Sequence, residues 1–373
     1  MTANTAAADE LVRSAPPRRT AELGMMFAHT CNIACRHCGI ESSPRNKSRM
    51  ALEDAKRYIS EAAAMGRFGK VSFTGGEPFL FQDEHVELLG LCKSLGLETR
   101  MVTNGFWARK LDRGLAVLTR MCDAGLTEIN FSADKFHLEF QDAAVLRNAL
   151  ECARRLGLAR IISFVTMEDG DALDLFSEMY GVPRETLVDL RYLDRRRATI
   201  EAHADSCVFI NAAGLIGLGR AAEHPDELRH FPVDLFQKAP CGEVVNRPVI
   251  YPDGKLQACC CAGGKIKTFT VGSLHDESLA DLYAKMEARS QYRFINSYGP
   301  RDLFDIVARA RPDRQLQDGY TSICEVCVRA TEGLCAEEVD EIVDAALTER
   351  TLAALGVLGH SDGETLRAAA AGP

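Results

Sequence analysis

The sequence has 373 residues, room for one large barrel plus a smaller module. Hydrophobic residues make up 46% and charged residues 26%, the balance of a soluble globular protein. The net charge of −9 disfavours a generic nucleic-acid or anionic-membrane surface, and no apolar run is long enough to span a bilayer.

Residues 1–20 lack the apolar core of a secretory signal and read as a flexible leader, so a cytoplasmic location is expected. In a reducing compartment, fourteen cysteines point to metal binding or chemistry rather than to disulfides. From residue 24 to 193 strand and helix alternate. Residues 25–29 form a short apolar run, and 51–65 have helical period. A β-rich run at 71–74 ends on Gly75-Gly76. Residues 83–95 read as a helix and 98–103 as a strand. The alternation continues through 108–124, 128–132, 139–156, 161–166, 172–180 and 188–193. Six such units predict an α/β fold with parallel strands and outer helices. They are fewer than the eight of a closed barrel, so a partial (β/α)6 barrel is expected. Ligands then belong at the C-terminal ends of the strands, where Cys31 and Gly75 fall.

The pattern changes after Arg195. A basic run, Arg195-Arg196-Arg197, leads into a looser segment with Gly214, Gly217 and Gly219. Cys241 to Cys261 reads as a cysteine-flanked hairpin turning at Pro252-Asp253-Gly254. A helix is expected at 279–288, and two further helical stretches enclose Cys324, Cys327 and Cys335. The expected organisation is a flexible segment at 1–20, a barrel at 21–200, a cysteine-rich module at 201–345 and a C-terminal helix and tail at 346–373. The boundary between barrel and module falls near 194–206.

Cys31, Cys35 and Cys38 have the spacing C-x3-C-x2-C. Thiolates are soft ligands and suit iron–sulfur clusters or zinc. Three of them leave one iron of a four-iron cube open to a further ligand, which catalysis needs. A structural zinc site with His29 or His37 as fourth ligand is the alternative. Phe73-Thr74-Gly75-Gly76-Glu77-Pro78 follows at the end of the second strand. Together the two motifs resemble the radical S-adenosylmethionine (SAM) superfamily, over about residues 24–193.

The resemblance implies that Cys31, Cys35 and Cys38 hold a 4Fe–4S cluster whose open iron is chelated by the amino and carboxylate groups of SAM. It places Gly75, Gly76, Glu77 and Pro78 beside the methionine part of SAM, with Glu77 accepting from the ammonium. The slot before the third cysteine, usually aromatic, holds His37, a ring able to pack near the adenine. Asn104, in Thr103-Asn104-Gly105, and Ser132, in Ser132-Ala133-Asp134, resemble positions lining the SAM ribose. A turn at Asn104-Gly105 and a helix cap at Ser132 or Asp134 are the structural alternatives. Asp134 and His137 are the candidate catalytic pair, with His137 as a general acid or base.

In the second half, Cys241, Cys259, Cys324 and Cys327 resemble the SPASM and shorter twitch extensions of this superfamily, which hold auxiliary 4Fe–4S clusters. The match is incomplete, because seven residues separate Cys327 from Cys335 and position 339 is Val339. The four thiols suffice for one auxiliary cluster, as in inosamine dehydrogenases, with Cys335, Cys260 and Cys261 as further or alternative ligands. A zinc knuckle is the structural alternative. Cys92, Cys122 and Cys152 read as core residues and Cys207 is unplaced. Gly219-Arg220-Ala221 resembles a GRA segment of SPASM-type enzymes; Arg220 reads as a surface arginine, with contact to SAM or substrate as the alternative.

The resemblance implies an oxidoreductase or maturase that cleaves SAM to a 5′-deoxyadenosyl radical and takes hydrogen from its substrate. A ribosomal peptide to be oxidised or cross-linked is favoured over an amino sugar or nucleoside. A flavodoxin or ferredoxin is the expected electron donor, and neither nucleic acid nor membrane is expected as a partner. A non-enzymatic zinc or iron–sulfur scaffold is the rival of another class, and it has no use for a SAM pocket.

Overall fold

This computed structural model describes residues 21–166, 170–190, 203, 206–260, 266–314 and 316–355. Strands β1 (Ala21–Ala28), β2 (Phe68–Gly75), β3 (Glu98–Thr103), β4 (Glu128–Asp134) and β5 (Arg160–Val165) lie side by side in chain order, each parallel to the next. The helices that connect them are α1 (Leu52–Ala64), α2 (Gln82–Ser94), α3 (Leu111–Ala124), the short α4 (Lys135–Leu138) and α5 (Ala143–Arg155); α6 (Ala172–Tyr180) follows β5. Helix α1 shows why they pack. Ala55, Tyr58, Ile59 and Ala62 recur at helical spacing and are all buried, while Glu53 and Ser60 are exposed.

Two helices begin later than their apolar period implies. Residues 106–108 form a single 3-10 turn before α3. The expected helix at 139–156 begins at Ala143, where Asp142 caps α5 by accepting from Ala144 N, and the separate short α4, capped by Asp134, precedes it.

The sixth strand departs further from expectation. Strand β6 (Leu187–Asp189) has three residues and does not pair with β5. Its expected extension to residue 193 lies outside the described residues, as does Arg195-Arg196-Arg197. The place beside β5 belongs to β7 (Val208–Ala213), paired in parallel from Arg160↔Val208 to Val165↔Ala213, and β6 lies on the outer edge of β7. One sheet therefore runs across the boundary expected near 194–206. Periodicity marks an apolar run but not the neighbour it pairs with.

The opposite edge of the sheet is extended by the second half of the chain. After β8 (Phe231–Pro232), strand β9 (Val249–Ile250) pairs in parallel with β1 and antiparallel with β10 (Lys255–Gln257), which pairs with β11 (Thr270–Ser273). The hairpin turns where expected. Gly254 N–H donates to Tyr251 O at 2.9 Å, and Gly254 takes φ +75°, a conformation glycine adopts without a Cβ clash. The sheet order is β11-β10-β9-β1-β2-β3-β4-β5-β7-β6. Helices α7 (Leu279–Ala288), α8 (Ser290–Ser297) and α9 (Pro300–Ala310) follow. Strand β12 (Gly319–Tyr320), paired with β8, precedes α10 (Ile323–Thr331) and α11 (Ala336–Ala354).

Cys324 and Cys327 lie on α10 itself, on one face at i, i+3, rather than between helices. Cys92 and Cys152 are fully buried and Cys122 packs against the same core, as small hydrophobes do. Cys207 packs beside Ile161 and Phe209. Among the described residues, no helix is long and apolar enough to cross a membrane.

Candidate active site

The site forms where the parallel strands end. The loop carrying Cys31, Cys35 and Cys38 leaves β1, and the end of β2 is stitched to it. Gly76 N–H donates to Ala28 O at 2.7 Å and Glu77 N–H to Thr30 O at 2.9 Å. Both glycines are required by this approach. Gly75 takes φ +122°, and a Cβ on Gly76 would stand 1.9 Å from Thr30 O. The backbone that these glycines approach most closely is the chain's own cysteine loop.

A cavity opens above the strand ends. Its wall contains Cys31, Cys35 and Cys38 together with Gly75, Gly76 and Glu77, and also Asn104, Ser132, Asp134, His37 and His137. Pro78 is buried behind the wall, opening the 3-10 turn at 78–80. Ser163, on β5 opposite Ser132, adds a second hydroxyl that sequence reading did not single out. A serine inside an apolar strand run was its only signal.

Cys31 and Cys35 are buried, and burial raises the Cys31 thiol to about 12, with Glu77, Cys35 and Cys38 adding to the rise. Ionised thiols crowded in such a place call for a cation of their own. A soft thiolate set around iron meets that need.

Glu77 is 1% exposed. Its Oε1 accepts from Phe79 N at 3.1 Å and Thr103 Oγ1 at 2.7 Å, and its Oε2 accepts from Asn104 N at 2.8 Å. Burial raises its pKa to about 7 against those three bonds. A carboxylate has about four acceptor positions, so about one remains for a ligand donor. The fit to a cationic amine is therefore direct, since such a group would relieve a carboxylate that burial discourages from ionising.

Asn104 is committed to its turn. Its Oδ1 accepts from Phe106 N at 3.0 Å, its Nδ2 donates to Asn32 Oδ1 at 2.9 Å, and Gly105 takes φ +77°.

Asp134, buried at the end of β4, gathers two histidines. Its Oδ1 lies 2.9 Å from His137 Nδ1 and accepts from the backbone N–H groups of Phe136 and His137, while Oδ2 lies 3.2 Å from His37 Nε2. The His37 ring stacks on Phe136 with centroids 4.6 Å apart. Burial by itself would lower the His137 pKa, but its bonds to Asp134 and Cys35 outweigh this and raise it to about 10. Burial likewise opposes ionisation of Asp134, and the two histidines hold its pKa well below the usual carboxylate range. The bonds to Asp134 and Cys35 favour the protonated, hydrogen-bond-donating form of His137.

Arg220 is not on the open surface. Its Nε and Nη2 donate to Cys35 O at 2.9 and 2.8 Å, and Nη2 also donates to Ser42 O at 2.8 Å. Its backbone N–H donates to Cys38 O at 3.2 Å. Gly219 makes room for this, because a Cβ there would stand 2.3 Å from Gly39 O.

The second cysteine group also converges. Cys327 is buried, and its thiol is pushed well above the ordinary value, first by burial and then by the neighbouring charges of Cys259, Cys324 and Cys241. Cys335 makes a different set of contacts. It is exposed, its N–H donates to Glu338 Oε2 at 2.7 Å, and its Sγ accepts from Glu338 N at 3.4 Å. This reciprocal pair caps α11. Cys260 is exposed, with its sulfur 3.4 Å from Glu243 Oε2, and Cys261 lies outside the described residues.

Residues 25–193 match the model of the Radical SAM superfamily. A 4Fe–4S cluster and SAM are the cofactors of that class. The chain is 30% identical to the peptide biosynthesis protein YydG of Bacillus subtilis over 125 residues, 34% of this chain and 39% of YydG. It is 27% identical to the PqqA peptide cyclase of Methylobacterium nodulans over 312 residues, 74% of this chain and 76% of the cyclase. Among solved structures it resembles Streptococcus suis SuiB bound to its precursor peptide SuiA, with 14% identity, a TM-score of 0.41 and coverage of 86% of this chain and 79% of SuiB.

Proposed function

We propose that this enzyme cleaves SAM reductively at a 4Fe–4S cluster on Cys31, Cys35 and Cys38 and takes hydrogen from a peptide substrate, oxidising or cross-linking it. The observation that carries this reading is the single cavity in which the three cysteines face Gly76 and Glu77. When bound, cluster and SAM together supply a 5′-deoxyadenosyl radical strong enough to attack an unactivated carbon.

The chain's own residues have distinct tasks in this reading. Cys31, Cys35 and Cys38 would hold the cluster by three thiolates, one fewer than its irons. The remaining acceptor position of Glu77 takes the SAM ammonium. Gly75 and Gly76 keep the β2 end against the cysteine loop, and Pro78 stiffens the turn behind it. Asn104, Ser132 and Ser163 bring polar groups to the ribose side, and the His37 ring, braced by Phe136, gives the adenine a flat neighbour. Asp134 orients His137, whose proton faces the Cys35 sulfur. Cys241, Cys259, Cys324 and Cys327 would hold one auxiliary cluster, which would supply a redox centre for a net oxidation of the substrate. Peptide as the substrate class is supported by what YydG and the PqqA cyclase are named for. A reducing cytoplasm suits exposed clusters and free thiols.

Anaerobically reconstituted, reduced protein is expected to form 5′-deoxyadenosine slowly without substrate, and the C31A/C35A/C38A variant to form none. Persistent cleavage in that variant, or a colourless zinc-loaded wild type, overturns the reading. A peptide encoded beside the gene is expected to gain a mass change of two hydrogens lost. An amino sugar or nucleoside consumed in its place would move the substrate class.

A further inference from the structure

A second cleft, of about 580 Å³, borders the same cysteine loop. Asn32 and Ile33, the two residues that follow Cys31, form part of its wall, and Ile33 also lines the SAM cavity. The rest of the wall is basic and aromatic. Arg109, Lys110 and Arg113 are all exposed, and among the described residues none of them has an ion-pair partner. Phe140, 41% exposed, Phe106 and Trp107 complete it. The acidic groups nearby are otherwise placed. Glu139 is paired with Arg36, Asp142 caps α5, and Asp112 does not line the cleft.

We propose that this cleft docks an acidic one-electron carrier protein of the flavodoxin or ferredoxin class, which delivers its electron to the cluster on Cys31, Cys35 and Cys38. The inference rests on the cluster reading above. Three observations favour this occupant. The chain carries a net charge of −9, so an acidic partner is repelled over most of its surface and attracted where three cations stand uncompensated. The exposed Phe140 ring offers an apolar anchor of the kind that fixes a docked protein among charges. The wall includes the backbone between two cluster ligands, so a carrier seated here lies against the loop that holds the iron. A peptide substrate must instead bring its reacting carbon into the SAM cavity, which Ile33 separates from this cleft. In the transfer the reduced carrier loses one electron and the oxidised 4Fe–4S cluster gains it, and no bond forms or breaks.

The test compares two reductants on reconstituted wild type and the R109E/K110E/R113E variant. With reduced flavodoxin, the variant is expected to form 5′-deoxyadenosine about tenfold more slowly or worse, while with dithionite the two proteins match. Oxidised flavodoxin titrated into each protein is expected to bind the variant at least about tenfold more weakly. Wild-type binding should weaken steeply as salt is raised, as complementary charge requires. Equal flavodoxin-driven rates and equal binding in the two proteins overturn the docking site. Equal losses with both reductants also overturn it, since the residues would then act on the site or the fold. Loss of substrate-peptide binding with flavodoxin binding intact would reassign the cleft to the peptide. Absence of dithionite-driven cleavage in wild type would instead sink the cluster reading.

Discussion

Arg220 donates twice to the carbonyl oxygen of Cys35, from a position 185 residues further along the chain. The same guanidinium reaches Ser42 O, so one planar fork closes the cysteine loop on itself. Just upstream, Gly217 N–H donates to Thr321 Oγ1 at 2.8 Å, and Thr321 donates to Glu325 on α10, the helix of Cys324 and Cys327. The 217–220 segment thus ties one cysteine group to the other. Arg220→Ala leaves two carbonyls without their charged donor and is expected to cost about 2–3 kcal/mol in chemical denaturation. It should also lower the iron retained by the triad. Arg220→Lys keeps the charge but not the fork and should fall between the two. Wild-type iron content and stability in Arg220→Ala would show that the clamp is dispensable.

Glu77 cannot be probed cleanly by alanine, because Phe79 N, Asn104 N and Thr103 Oγ1 all lose an acceptor. Glu77→Ala is expected to destabilise the fold by about 2–3 kcal/mol and to weaken SAM binding by about 1.5–3 kcal/mol, the range of a charged hydrogen bond. Glu77→Gln should recover part of the stability and little of the affinity, since the amide still accepts at one oxygen but carries no charge. Calorimetry on the folded glutamine variant separates the two effects, and undiminished SAM affinity there would remove Glu77 from the binding site.

Two glycines give opposite outcomes. Gly76→Ala places a Cβ 1.9 Å from Thr30 O and should prevent the cysteine loop from closing, yielding protein that retains little iron at the triad. Gly90, inside α2, has nothing within 4 Å of an added Cβ, so Gly90→Ala should stabilise by up to about 1 kcal/mol. Thermal unfolding and iron analysis of the pair check both signs.

Iron content reports the number of clusters. Wild type is expected to carry about eight irons, and C31A/C35A/C38A about four. C324A/C327A should also carry about four and should keep substrate-free SAM cleavage while losing product. Cys335→Ser should keep about eight, because the hydroxyl preserves the cap on α11 without a thiolate. A loss of about four irons in Cys335→Ser would instead make Cys335 a ligand.

His85 sets a pH limit on the strands beneath the site. It is fully buried on α2, with Nδ1 2.8 Å from Phe81 O and its ring 5.1 Å from Phe27 and 5.3 Å from Phe73. Burial lowers its pKa to about 4, the Phe81 carbonyl offsetting part of the fall. The folded state then binds its proton less well than the unfolded chain. Its contribution is present above the ordinary value of about 6.5 and is lost as pH falls towards 4. Denaturation at pH 7 and pH 4 should show a loss on the order of 3 kcal/mol from this group, absent in His85→Leu. Equal acid losses in both proteins would assign the effect to other groups.

Much of this protein was legible in the order of its residues. The C-x3-C-x2-C and GGEP motifs are local, so the resemblance to the radical SAM superfamily could be read from two short runs of residues. The alternation of apolar periods marked β1 to β5 within a few residues, because each run is long enough to show its repeat. The turn at Gly254 was equally local. What the sequence could not decide depends on contacts between distant segments. Nothing in Val208–Ala213 says that it, rather than Leu187–Asp189, lies beside β5, since strand neighbours are chosen by register and packing across the sheet. Arg220 read as a surface residue because its acceptors, Cys35 O and Ser42 O, are backbone carbonyls that leave no mark on the sequence. Cys335 and Cys327 are the same residue type, separated only by what surrounds them: a helix terminus for one, three other thiols for the other. Sequence thus determined which chemical groups are present and the local turns that carry them. Only the tertiary structure decided which of those groups meet, because burial and hydrogen bonding between remote segments are properties of the folded packing alone.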